Sequence, residues 1–146
     1  MKYEIKWDKR INNYFIHGSK VSFFKEDGEV HFENPYISPG SVIVGWHSEP
    51  TYQGDRTGLQ LPLLKRGEVY HLKAEVQAHP QQSVALKFNV FDRARTRIGT
   101  QMLSLKGGDV TYPKDAYSYT VELISTGVEA LCFKRIWLSL EKGGGA

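Results

Sequence analysis

With a single cysteine, Cys132, among its 146 residues, the chain can form no internal disulfide. Whatever core it has must hold by packing, and a chain of this length buries on the order of two-thirds of its unfolded surface without staples. A lone thiol is expected of a reducing compartment, and Leu131-Cys132-Phe133 reads as a buried thiol serving as a small hydrophobe. No apolar run approaches the ~18 residues needed to cross a bilayer, so no membrane span is expected, and any membrane contact should come through partners. Met1–Trp7 has neither the apolar centre nor the cleavage site of a signal peptide. The cytoplasm is therefore the expected location.

An excess of one charge sign is also lacking. Nineteen Lys and Arg against sixteen Asp and Glu leave a net charge of +3. That is too mild for a dedicated nucleic-acid binder. The strong catalytic signatures are absent as well: no His-Glu-x-x-His, no Gly-x-Ser-x-Gly, no Walker loop and no paired-cysteine zinc pattern. His17-Gly18-Ser19-Lys20 lacks phosphate-loop spacing and reads as a turn entering a strand. The histidines at 17, 31, 47, 71 and 79 show no ligand spacing, so neither a metal nor a cofactor is expected. With no activated nucleophile or partnered base, an enzyme is not expected either.

What the chain has in quantity is alternation. In Val69–Gln77, Tyr70, Leu72, Ala74 and Val76 face one way and His71, Lys73, Glu75 and Gln77 the other. Ser83–Asp92 repeats the pattern, with Val84, Leu86, Phe88 and Val90 opposing Ala85, Lys87 and Asn89. A period of two places each set on one side of a strand with one buried face. His79-Pro80-Gln81-Gln82 reads as the short loop joining the two in one antiparallel sheet. Further strand signals lie at Tyr3–Trp7, Lys20–Lys25, Glu29–Phe32, Ser41–His47, Ile98–Leu103, Tyr117–Leu123 and Leu131–Leu140, and Leu59–Leu64 reads as an edge strand or an extended segment. Asp27-Gly28 and Gly107-Gly108 supply turns. The phase of the last strand slips between Phe133 and Ile136, the mark of a bulge. No segment carries a helical stripe beyond a turn or two near Pro113–Ala116. Eight to ten strands separated by Gly, Pro and Asp predict an all-β antiparallel sandwich of jelly-roll type. One domain is expected over 1–142, with Gly143-Gly144-Gly145-Ala146 a flexible tail.

Candidate contact residues sit in two places. Trp46, His47, Tyr52, Gln53, Asp55 and Arg56 join aromatics to polar groups in or beside a loop, a mixture that can stack on sugar rings or on a partner's side chains. For Trp46 the competing reading is plain core, because it continues the inward set Val42, Val44, Trp46. Arg93 and Arg95, with Arg97, crowd guanidinium groups at a hairpin tip, where a solvated turn guarding a strand end is the plainer reading and a contact to phosphate or to an acidic partner the sharper one. Phe91, Ile124 and Trp137 fall on polar-face positions and are expected to lie, in part, under a partner.

The order of Phe32-Glu33-Asn34-Pro35, Ser38-Pro39-Gly40, Trp46, Leu61-Pro62-Leu63-Leu64-Lys65-Arg66-Gly67, Tyr70, Phe91-Asp92-Arg93 and Tyr112-Pro113 resembles the accessory secretory protein three family of Gram-positive bacteria. The likeness runs from about Phe15 to Leu138. It implies a carbohydrate-binding-module-like fold and a non-enzymatic cytoplasmic subunit of the accessory Sec export machinery. It further implies association with the other accessory secretory proteins and the accessory motor ATPase, in the export of serine-rich glycosylated adhesin preproteins. It carries over no catalytic residues. The alternative is a free-standing carbohydrate-binding module.

Overall fold

The structure is a computed structural model that describes residues 2–7, 14–15, 18–24, 28–48 and 61–140. Among these, ten strands form in chain order: β1 (Lys2–Ile5), β2 (Lys20–Phe24), β3 (Glu29–Glu33), β4 (Val42–His47), β5 (Val69–His79), β6 (Val84–Phe91), β7 (Arg97–Leu103), β8 (Gly108–Thr111), β9 (Ser118–Ser125) and β10 (Ala130–Leu140). They make two antiparallel sheets. A six-stranded sheet runs β2-β3-β10-β5-β8, and a four-stranded sheet runs β4-β9-β6-β7. Strand β1 pairs with Ile136–Ser139 of β10 and β3 with Ala130–Phe133, so both lie end to end along the edge of β10 that β5 leaves free. No helix occurs among the described residues; 113–116 is a single turn in which Ala116 N donates to Pro113 O at 3.0 Å.

The inward-facing sets of the two sheets meet as one core. Leu72, Phe133, Ile136 and Leu138 from the larger sheet face Val44, Leu86, Val121 and Leu123 from the smaller, all fully buried. Trp46 stacks on Phe133 at 5.5 Å, and Trp7 meets Phe133 edge-on at 5.9 Å. Farther along, Tyr119 contacts both Phe88 and Tyr112. Each such side chain contributes about 1.5–3 kcal/mol by leaving water.

Three expectations need correction. The two alternating segments do not pair: β5 belongs to the larger sheet and β6 to the smaller. Alternation says that each has an apolar face, and here those faces meet across the sandwich instead of lying side by side. The connection crosses at 80–83, where Gln82 takes a φ of 61°. Of the expected edge strand or extended segment at 59–64, only 61–64 are described, and they form no strand, which removes the first of the two readings. Pro62 has no N–H to give a ladder, and its carbonyl instead accepts from Tyr119 Oη at 2.6 Å. Cys132 is not a core residue. Leu131 and Phe133 point inward, so the pleat turns its thiol to the outer face, where Sγ donates to Glu29 Oε2 at 3.3 Å. The bulge lies where the phase slips, as a register shift between Phe133 and Arg135. The Gly-rich end at 143–146 lies outside the described residues.

Candidate functional site

The core consumes the inward residues, which leaves two outer sheet faces and the loops at the sheet ends to meet other molecules. On the four-stranded sheet, cross-strand register aligns His47, Thr120, Asn89 and Thr100 in one row and Gly45, Glu122, Lys87 and Met102 in the next. Asn89 organises this face. Its Nδ2 donates to Thr120 Oγ1 at 3.0 Å and to Glu122 Oε1 at 2.7 Å, and its Oδ1 accepts from Thr100 Oγ1 at 3.0 Å. Both amide donors are satisfied, so burying this polar side chain costs little and fixes the Glu122 carboxylate. On the edge strand β7, Ile98 and Met102 alternate with Thr100 and stand 40% and 52% exposed.

Strands β4 and β6 run in the same direction, because both pair antiparallel with β9. Their C-terminal ends, His47 and Phe91, therefore lie at one end of the sheet, opposite Thr120 and Ser118. The arginine hairpin springs from that end. Asp92 closes it: Asp92 N donates to Thr96 O at 2.9 Å, and Thr96 N donates to Asp92 Oδ1 at 3.0 Å. Arg95 takes a φ of 65° at the tip, and the Arg93 guanidinium lies 5.7 Å from the centre of the half-exposed Tyr117 ring. Cation–π attraction thus holds one of the exposed arginines over an aromatic surface.

Of the residues singled out from sequence, the structure brings His47, Arg93 and Arg95 to this end of the sandwich. Trp46 is 1% exposed, and its Nε1 donates to Lys6 O at 3.0 Å. It is a core residue and offers no face to a ligand, which is the reading its place in the inward set supported. Tyr52, Gln53, Asp55 and Arg56 lie outside the described residues. Ile124 is covered by the chain itself, while Phe91 and Trp137 are half-buried.

The outer face of the six-stranded sheet is more charged, and of the cluster at its centre the sequence reading singled out only Trp137. Trp137 meets two cations there, with Lys2 Nζ 4.3 Å and the Arg135 guanidinium 5.4 Å from its ring centre. Its Nε1 donates to Glu75 Oε1 at 2.8 Å. Arg135 reaches Glu4 at 3.2 Å and Glu75 at 3.6 Å. The Trp137 hydrogen bond, helped by the Arg135 charge, holds the Glu75 carboxyl below the ordinary carboxylate range. Beside this cluster an open groove of about 530 Å³ crosses β2, β3, β10 and β5, walled by Lys20, Phe24, His31, Gln77, His79 and Cys132. The two deeply set tyrosines have the opposite perturbation, since burial pushes the Tyr112 and Tyr119 hydroxyls up. They stay neutral and structural.

Two antiparallel sheets enclosing one core, with outer faces open to solvent, define a β-sandwich of the carbohydrate-binding-module kind. The structure superposes on the CBM22-1 xylan-binding domain of Paenibacillus barcinonensis Xyn10C with a TM-score of 0.51 at 13% identity, covering 97% of this chain and 95% of that one, a likeness of fold alone. The family described as the third protein of the accessory Sec secretory system matches residues 14–140, and the chain belongs to it. The family's accessory Sec system protein from Streptococcus gordonii is 41% identical over 133 residues, covering 90% of this chain and 83% of that protein. Its counterpart in Staphylococcus aureus is 28% identical over 132 residues, and there the chain spans 41% of the relative's length. A chain in the crystal structure of accessory secretory proteins 1, 2 and 3 of Streptococcus pneumoniae matches with a TM-score of 0.88 at 32% identity, over 95% of this chain and 96% of that one. One in the Gap123 glycosylation-associated complex of Streptococcus agalactiae matches with a TM-score of 0.87 at 27% identity, over 97% of this chain and 45% of that one.

Proposed function

We propose that this chain is a non-enzymatic subunit of the accessory Sec export machinery, working in the cytoplasm. In this reading it binds the other accessory secretory proteins and, with them, the accessory motor ATPase, and it helps deliver serine-rich glycosylated adhesin preproteins for export. The observation that carries the reading is that both solved relatives of high structural similarity are chains of accessory-protein complexes. Physical features agree with it. Ile98 and Met102 expose apolar surface on an edge strand, and the adjoining end of the sheet carries Arg93, Arg95 and Tyr117. An apolar strip beside guanidinium groups suits a protein partner with a mixed apolar and acidic surface. His47 is a proposed contact at that same end, and Tyr52, Gln53, Asp55 and Arg56, outside the described residues, are proposed contacts on the strength of their side-chain chemistry alone.

The test is deletion of the gene in the host that encodes it. Export of the serine-rich adhesin should fail and return on complementation, while general secretion is untouched. Normal adhesin export without this chain would overturn the proposal.

A further inference from the structure

Strands β3 and β10 bring three different metal-binding side chains to one point on the outer face of the larger sheet. Glu29 and His31 are two apart on β3, so their side chains share a face, and Cys132 pairs directly with His31 across the ladder. Cys132 Sγ lies 3.3 Å and His31 Nε2 lies 3.6 Å from Glu29 Oε2, and all three donor atoms fall within 4.8 Å of one another. A tetrahedral Zn²⁺ with Zn–S near 2.3 Å and Zn–N and Zn–O near 2.0 Å sets donor–donor edges of roughly 3.3–3.6 Å. The two recorded edges to Glu29 Oε2 fall in that range, and the third, between Cys132 Sγ and His31 Nε2, is no longer than 4.8 Å.

We propose that Glu29, His31 and Cys132 form a three-ligand site for a borderline-soft divalent transition ion, Zn²⁺ being the best fit. Donor chemistry selects the ion: thiolate and imidazole favour zinc over magnesium or calcium. Charge closes as well, since one thiolate and one carboxylate balance the dication when the imidazole is neutral. On binding, the Sγ–H bond breaks, an Sγ–Zn bond forms and the thiol proton leaves to solvent, one proton per metal. Two of the ligands, His31 and Cys132, also wall the groove over β2, β3, β10 and β5. The Phe24 ring lies 4.5 Å from the His31 ring and covers one side. Three protein ligands leave a fourth position for water or for a donor atom of a molecule lying in the groove. This site is independent of the assembly role proposed above.

The test uses the reduced, metal-free full chain titrated with Co²⁺ and then Zn²⁺. Because Cys132 is the only cysteine in the sequence, a thiolate-to-cobalt charge-transfer band reports on this site alone. The expected result is one Co²⁺ per chain with that band, displaced by Zn²⁺ and not by Mg²⁺, with release of about one proton. Cys132→Ser should abolish the band, and His31→Ala should weaken binding by about tenfold or more. Independently of any variant, Zn²⁺ should protect Cys132 of the wild-type chain from alkylation. An absent thiolate band, alkylation unaffected by Zn²⁺, or Zn²⁺ affinity unchanged in Cys132→Ser would each overturn the proposal.

Discussion

Glu75 shows how much its neighbours can alter a half-buried side chain on a sheet face. Its carboxyl titrates below the ordinary range because Trp137 donates to it and Arg135 stands beside it. A folded-state pKa depressed in this way gives stability that is present above the unfolded value of about 4.3 and is lost as pH falls through the folded value. The difference in urea midpoint between wild type and Glu75→Gln should therefore be full at neutral pH and vanish in acid, with Trp137 fluorescence changing over the same range. A difference that is flat with pH would remove the carboxylate from the account. Trp46 is the opposite case, a large ring fully inside. Trp46→Ala should cost about 3–5 kcal/mol in equilibrium unfolding. Both roles follow from strand parity, and parity is readable in the sequence: Trp46 sits with Val44 on the inward side. The same rule, applied to Leu131-Cys132-Phe133, turns the thiol outward. Its hydrophobic neighbours favour a core position, but alternation outweighs local composition in a strand.

Elements were legible where their pattern is periodic and obscure where partners decide. Strand β10 announced its bulge, since Lys134 and Arg135 interrupt an otherwise strict alternation. Strand β8 spans only Gly108–Thr111 and carries too few residues for any period to show. The separation of β5 from β6 could not be read at all, because two half-buried strands look alike whether their faces pair edgewise or meet across a core. Turn chemistry gives the sharpest element-scale prediction. Gly107 and Gly40 adopt nearly the same φ, 96° and 93°. A Cβ on Gly107 would overlap the Leu72 carbonyl oxygen of β5, whereas one on Gly40 meets nothing within 4 Å. Gly40→Ala should therefore cost only the backbone strain, about 1 kcal/mol. Gly107→Ala should add roughly 1–3 kcal/mol of overpacking. Equal losses in a urea denaturation series would mean that the β7–β8 turn is not pressed against β5.

For the molecule as a whole, sandwich architecture and family were both legible, the first from alternation and turn residues, the second from motif order along nearly the whole chain. The contact surface was not. Much of the suspected loop, Tyr52 to Arg56, lies outside the described residues, and the exposed pair Ile98 and Met102 offered no signal beyond ordinary strand residues. Their exposure follows from the edge strand β7 turning Ile98, Thr100 and Met102 to the outer face and Leu103 to the core, which the sequence alone does not reveal. If that edge is an assembly surface, Met102→Lys should leave stability within about 0.5 kcal/mol while weakening association with the sister proteins. Association itself is the claim on which the proposed function depends. Size-exclusion chromatography with light scattering, run on this chain alone and mixed with the other accessory secretory proteins, tests it most directly. A stable hetero-complex with the summed mass is the expected result, and a monomer that elutes unchanged in the mixture would contradict the account.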